Sequence, residues 1–206
     1  MDQSGSTGGQ GAPTGPASGW SAPPPPPAQP GPKGFVYADV PNRAIAYIID
    51  AIIIGIVGLL VTIILAAIGL NATSGSAFLN TFSYNPIVSI IIAIISLAIS
   101  GAYFVYTWTK RRATIGMQVL GMQIGDAGTG ATLTQDQAIK RWIALGAPFT
   151  LAQAFNPFPL LGILISIAAL AWFIYLVYTT YSSPTKQGWH DIFAHSMVVK
   201  ATNTVA

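Results

Sequence analysis

Apolar residues run almost unbroken from Arg43 to Leu70, and the only charged groups in the run are Arg43 at its start and Asp50 inside it. About twenty such residues, each rising 1.5 Å, cross a hydrocarbon core of roughly 30 Å, so the pattern predicts a transmembrane helix over about 44–70. Pro41 and Asn42 suit its entry. The segment NATSGSAFLNTFSYNP carries no charge and reads as a short loop outside the membrane. Asn85 and Pro86 then serve as N-cap and first-turn residues for a second span, about 87–108, which stops at Lys110, Arg111 and Arg112. Between 113 and 133 the period changes. Leu120, Met122 and Ile124 alternate with glycine and polar positions, predicting a short strand or interfacial segment before the turn GDAGTG. Thr134 and Gln137 have capping-box spacing and announce a helix that is apolar from Trp142, with Pro148 inside it. The run breaks at Asn156, Pro157, Phe158 and Pro159 and resumes to Tyr178, which gives spans of about 137–155 and 159–180. The expected architecture is an all-α, four-transmembrane-helix bundle.

The two ends of the chain differ from this core. Residues 1–34 hold nine prolines and eight glycines with almost no large apolar side chain, so they are expected to be a disordered tail. The run Pro23 to Pro27 suits a stiff solubilising tether or a weak docking ligand for an aromatic-lined groove. The tail lacks the basic start and apolar segment of a secretory signal, and it is expected to be retained. After the last span, PTKQGWHDIFAHSMVVK is too short for a domain and too apolar for a free tail, so it is expected to pack under the ends of the spans.

Composition agrees with a bilayer setting: 52% of residues are hydrophobic and 7% charged, where a soluble domain carries about 25% charged residues. Four spans place all nine Lys and Arg on one side and leave the two short opposite loops without any. By the positive-inside rule both termini are then cytoplasmic. The alternative, in which 142–155 dips in and returns, would put Lys186 and Lys200 outside. A net charge of +3 gives no case for a nucleic-acid partner. The lipid bilayer is the expected partner, together with a second copy or a membrane complex.

Catalytic motifs are missing: no Walker loop, no His-Glu-x-x-His, no nucleophile elbow, no cysteine, and GDAGTG does not fit the dinucleotide fingerprint. His190 and His195, five apart without a third ligand, make a weak metal set. No enzyme activity, cofactor or metal is expected. Asp50 is the exceptional group, because a carboxylate at bilayer depth costs about 2.5 to 3.5 kcal/mol and must face protein. Arg43, seven residues earlier, shares its face at a separation of about 10 Å without reaching it. Ser96 and Ser100 on the second span offer hydroxyls within its expected reach.

An arginine opening the first span with an aspartate seven residues on, a Gly-rich segment after the second span, and a His-Asp pair after the last together resemble the RDD family of bacterial membrane proteins. The resemblance covers about residues 38–200. The arginine and two aspartates that name the family fall on Arg43, Asp50 and Asp191, with His190 before the second aspartate. Thr114, Gly116, Gly121 and Asp126 match the family's cytoplasmic segment, and Arg141 its following helix start. The chain departs from the family at Met117 and Gln123, where basic residues are frequent, so no role that needs positive charge is expected of this loop. The resemblance implies transport or ion exchange for some members and leaves the activity of most open. Two readings follow. In one, Arg43, Asp50, Arg141 and Asp191 form charge pairs that hold a membrane scaffold or accessory subunit together, with Asp50 against an arginine. In the other, Asp50 binds and releases a proton or cation in a small transporter.

Overall fold

The computed structural model describes residues 34–76, 81–155 and 158–201. The tail expected to be disordered, with its proline run, lies outside the described residues but for Gly34, as does the Asn156–Pro157 part of the last helix break. Helix α1 spans Val40–Ala67, with Pro41 in its first turn and Asp39 at its N-cap. Asp39 Oδ1 accepts from Asn42 Nδ2 at 2.8 Å. The charge-free loop contains a short antiparallel hairpin, β1 (Thr73–Ser76) and β2 (Thr81–Tyr84), with Thr73 opposite Tyr84. Asn85 caps α2 (Pro86–Tyr106) as its sequence position predicted, accepting from Val88 N at 3.2 Å.

At its end α2 widens into a π-helical turn over Thr107–Arg111 and stops at Arg112, whose φ is +58°. The extra residue in that turn belongs to a segment in which Thr107 and Trp108 are buried and Lys110 and Arg111 are not. A five-residue helix α3 (Ile115–Val119), strand β3 (Met122–Asp126) and helix α4 (Gln135–Phe155) follow. The capping box at α4 is formed as expected: Thr134 N donates to Gln137 Oε1 at 3.0 Å and Gln137 N to Thr134 Oγ1 at 3.3 Å. Helix α5 (Pro159–Ser182), the five-residue α6 (Trp189–Phe193) and β4 (Ser196–Lys200) complete the chain.

Among the described residues three helices are long and apolar enough to cross a membrane: Val40–Ala67, Pro86–Arg111 and Leu160–Ser182. Helix α4 has 21 residues, but its first two turns carry Asp136, Lys140 and Arg141. It packs along α2 on one side and α5 on the other, while α1 meets α2 and α5 only lightly and α3 more closely. Trp142 holds the first of these contacts. Its Nε1 donates to Ser100 Oγ at 3.1 Å, and its ring lies where a Cβ on Gly101 would come within 3.2 Å. Pro148 explains the second contact. Lacking an N–H, it leaves the Ala144 carbonyl one turn earlier without its helical donor, and Trp172 Nε1 of α5 donates to that oxygen at 2.8 Å.

The packed core lies at the charged end of the bundle, not between the spans. Phe104, Trp108, Ala113, Met117, Met122, Ile124, Leu133, Ala138 and Val198 form it, with Ala46 of α1. The apolar windows of the three long helices are 6%, 22% and 17% buried, as expected of side chains for which lipid is as good a solvent as protein. Strands β3 and β4 pair antiparallel, Ile124 opposite Val198. A bridge from Tyr37 to Val199 ties the chain before α1 to the same strand. The C-terminal segment therefore folds back under the spans, which is where its apolar content required it to go.

Candidate functional site

Two charged centres occupy this end. The first is Asp50, on the third turn of α1 and 2% exposed. Its Oδ1 accepts from the Tyr103 hydroxyl at 2.7 Å and from Gly116 N at 2.8 Å, and its Oδ2 accepts from the Thr114 hydroxyl at 2.5 Å. Tyr103 OH accepts in turn from Ile115 N at 3.1 Å. Thr114 is also the N-cap of α3, taking Met117 N at 3.2 Å. One buried carboxylate thus gathers α2 and the first turn of α3 onto α1. Position 116 must be glycine for this approach, because a Cβ there would stand 2.1 Å from the Ala46 carbonyl oxygen.

This arrangement corrects two expectations. Ser100 does not reach Asp50, since its hydroxyl is engaged with Trp142, and the hydroxyls that do come from Tyr103 and Thr114. No arginine pairs with Asp50 among the described residues. Arg43 sits on the same face, as the seven-residue spacing implied, but points to the second centre.

That centre is Asp191, fully buried on α6. Arg43 Nη2 lies 2.6 Å from its Oδ2, and Arg141 Nη1 pairs with its Oδ1. Gly188 N donates to Oδ2 at 3.0 Å. Arg141 Nη1 also donates to the Ser196 hydroxyl at 2.6 Å, and Arg43 Nη1 to the Lys186 carbonyl. The guanidinium of Arg141 stacks 5.3 Å from the centroid of the Trp108 ring, the residue that the π-helical turn carries inward. The side chains of Arg43, Arg141 and Asp191 are 11%, 5% and 0% exposed. One carboxylate therefore serves two guanidiniums in a poorly solvated site. Charged hydrogen bonds of this kind are the strong class, and losing one partner leaves the others uncompensated.

Burial by itself would raise the Asp191 carboxyl pKa, but the Arg141 and Arg43 guanidiniums outweigh it and hold that pKa well below the ordinary carboxylate range. His190 moves the same way for a different reason. Burial pushes its imidazole down to about 3, with Asp191 opposing and the two arginines assisting. It is neutral at neutral pH, so its 3.5 Å approach to Asp191 is not an ion pair. His195 is exposed, and its carbonyl accepts from Ala127 N and from Gln137 Nε2. The two histidines do not converge, and among the described residues no three His, Cys, Asp or Glu side chains group as around a metal.

Asp126 organises the glycine-rich turn. Its Oδ1 takes Gly128 N, Thr129 N and the Thr129 hydroxyl, and its Oδ2 takes Gln137 Nε2 at 2.8 Å. The bond from Gln137 leads those that lower its pKa to about 2. Met117, where basic residues are frequent in the family it resembles, is instead buried in the core.

Two cavities share Tyr47 and Phe104, and Asp50 lines the smaller of them. One, of about 200 Å³, is lined by Asp50, Thr114, Arg43, Arg141 and His190 with apolar neighbours. The other, of about 670 Å³, lies between α1, α2 and α4 and includes Gly55, Ser96, Thr150 and Gln153. Tyr47 and Phe104 border both.

Compared with protein families, the chain matches the model of the RDD family over residues 37–195. No curated protein and no solved structure matches it.

Proposed function

The chain belongs to the RDD family, and from that premise we propose that it is a non-enzymatic membrane scaffold or accessory subunit, held in shape by its two charged centres. The observation that carries this is the saturation of Asp50: both carboxylate oxygens accept donors from neighbouring elements, and those bonds fasten α3 to α1. A group so employed acts as a clasp. The proposed topology is four spans, with α4 the third, and both termini in the cytoplasm of a bacterial cell. Its support is the placement of all nine Lys and Arg on one side and the packing of α4 between α2 and α5. A second copy or a membrane-complex partner fits α1, of whose 28 residues only Ala46 and Asp50 are buried. The proline-rich tail is proposed as a tether with at most a weak docking role.

A second reading, a small transporter or proton/cation exchanger using Asp50, is favoured by the cavity that Asp50 lines and by the larger cavity that shares Tyr47 and Phe104 with it. One variant separates the readings. For the scaffold, Asp50→Asn lowers the detergent melting temperature, and wild-type proteoliposomes show no pH-dependent ion flux. A wild-type flux that vanishes in Asp50→Asn while the melting temperature is unchanged overturns the scaffold in favour of the exchanger.

A further inference from the structure

The two five-residue helices α3 and α6 turn large apolar side chains outward, and α6 is amphipathic in an inverted sense. On α6 the side buried against protein carries His190 and Asp191, while the outward side shows Trp189, Ile192 and Phe193 at 36%, 60% and 45% exposure. On α3 the buried side holds Gly116 and Met117, and Ile115 and Val119 stand 39% and 68% exposed. In water this is the wrong way round, with large apolar groups outside on both helices and, on α6, charge inside. It is the right way round for a surface that faces lipid.

The position of both helices agrees. Helix α3 is fastened beside Ala46 and Asp50, about 9 to 15 Å from the start of α1 and already within its apolar run. Helix α6 continues the aromatic surface of α5: the Trp189 ring packs edge-on against Trp172 at 5.1 Å and stacks on Phe193 at 5.0 Å. Trp189 N also donates to Thr179 Oγ1 at 3.1 Å. Tyr178 and Tyr181, 65% and 71% exposed, lie on the same end of α5. Lys186 stands 5.6 Å over the Tyr181 ring, an ammonium at the height expected of headgroups.

We propose that α3 and α6 form an interfacial collar, with Ile115, Val119, Trp189, Ile192 and Phe193 inserted among the lipid headgroups and first acyl carbons of the leaflet at the charged end. The occupant of this surface is the lipid itself, because the surface is continuous with the lipid-facing side of α5. The collar places the Asp50 and Asp191 centres at the membrane boundary and shields them from water.

The chain has no cysteine, so single nitroxide labels are unambiguous. Val119→Cys, Ile192→Cys and Phe193→Cys are each labelled in the full chain and reconstituted in phosphatidylcholine–phosphatidylglycerol vesicles. Thr132→Cys, exposed in the loop before α4, is the aqueous control. Collisions with oxygen should exceed those with a neutral nickel chelate several-fold at 119 and 192, and the order should reverse at 132. Phe193→Cys repeats the reading on α6 if the substitution at 192 disturbs the helix. Nickel dominating at 119 and at both α6 positions would place the collar in water and overturn the proposal. Labels shielded from both reagents would show the surface covered by a second copy or another protein, which overturns it equally.

Discussion

Replacing Asp191 by asparagine is the sharpest perturbation, because the change is almost isosteric and removes the one acid that, among the described residues, pairs with Arg43 and Arg141. Asparagine can still accept at one oxygen, but its amide nitrogen must then face a guanidinium. Arg43 and Arg141, 11% and 5% exposed, are left as two cations without a counter-charge. Breaking a buried pair in this way costs about 3 to 5 kcal/mol. At roughly 2 to 4 °C per kcal/mol for a chain of this size, the melting temperature in detergent should fall by about 6 to 20 °C. The double variant Asp191→Asn, Arg141→Met is the control. It removes charges of both signs, so its cost should be smaller than the sum of the two single costs. A melting curve for Asp191→Asn that overlays the wild type would refute the reasoning, since it would mean that the two guanidiniums find water or another anion at no expense.

Acid should destabilise the protein well above the ordinary carboxylate range. His190 is held at about 3 in the folded state against an ordinary 6.5, so the unfolded chain binds the proton first and stability declines as pH falls from 6.5 towards 3, with Asp191 adding its loss below its ordinary 3.8. Melting temperatures that stay flat from neutral pH to about 4 would contradict this, and His190→Asn should flatten the decline. Gly116→Ala should cost about 1 to 3 kcal/mol through overpacking against the Ala46 carbonyl, and it should speed proteolysis after Arg111 or Arg112. An uncleaved loop with an unchanged melting point would argue against the clasp. For topology, single cysteines at Ser74 and Asn156 should react with an impermeant thiol reagent applied outside intact cells, and those at Ser4 and Thr202 should not. Labelling at Thr202 from outside would rule out four spans.

The spans were legible because they follow from length and local composition: a bilayer asks only for enough consecutive apolar residues, and α1 and α5 answer that without reference to any partner. Caps were legible for the same reason, as Asn85 with Val88 and Thr134 with Gln137 act over three residues. The paired strands β3 and β4 were half legible, since the alternation at Leu120, Met122 and Ile124 marked one strand while its partner was visible only as an apolar tail. The resemblance grouped Arg43, Asp50, Arg141 and Asp191, but it could not say which touches which. Asp191 is 148 residues from Arg43 and 50 from Arg141, and Asp50 takes its donors from positions 53 to 66 residues away. No periodicity carries information across such separations. The partners of Asp50 were decided by where α2 brings the Tyr103 hydroxyl and by Gly116, which lets the first turn of α3 come up against α1. A buried carboxylate takes whichever donors the packed chain brings within 3 Å of it, and only the tertiary structure decides which those are.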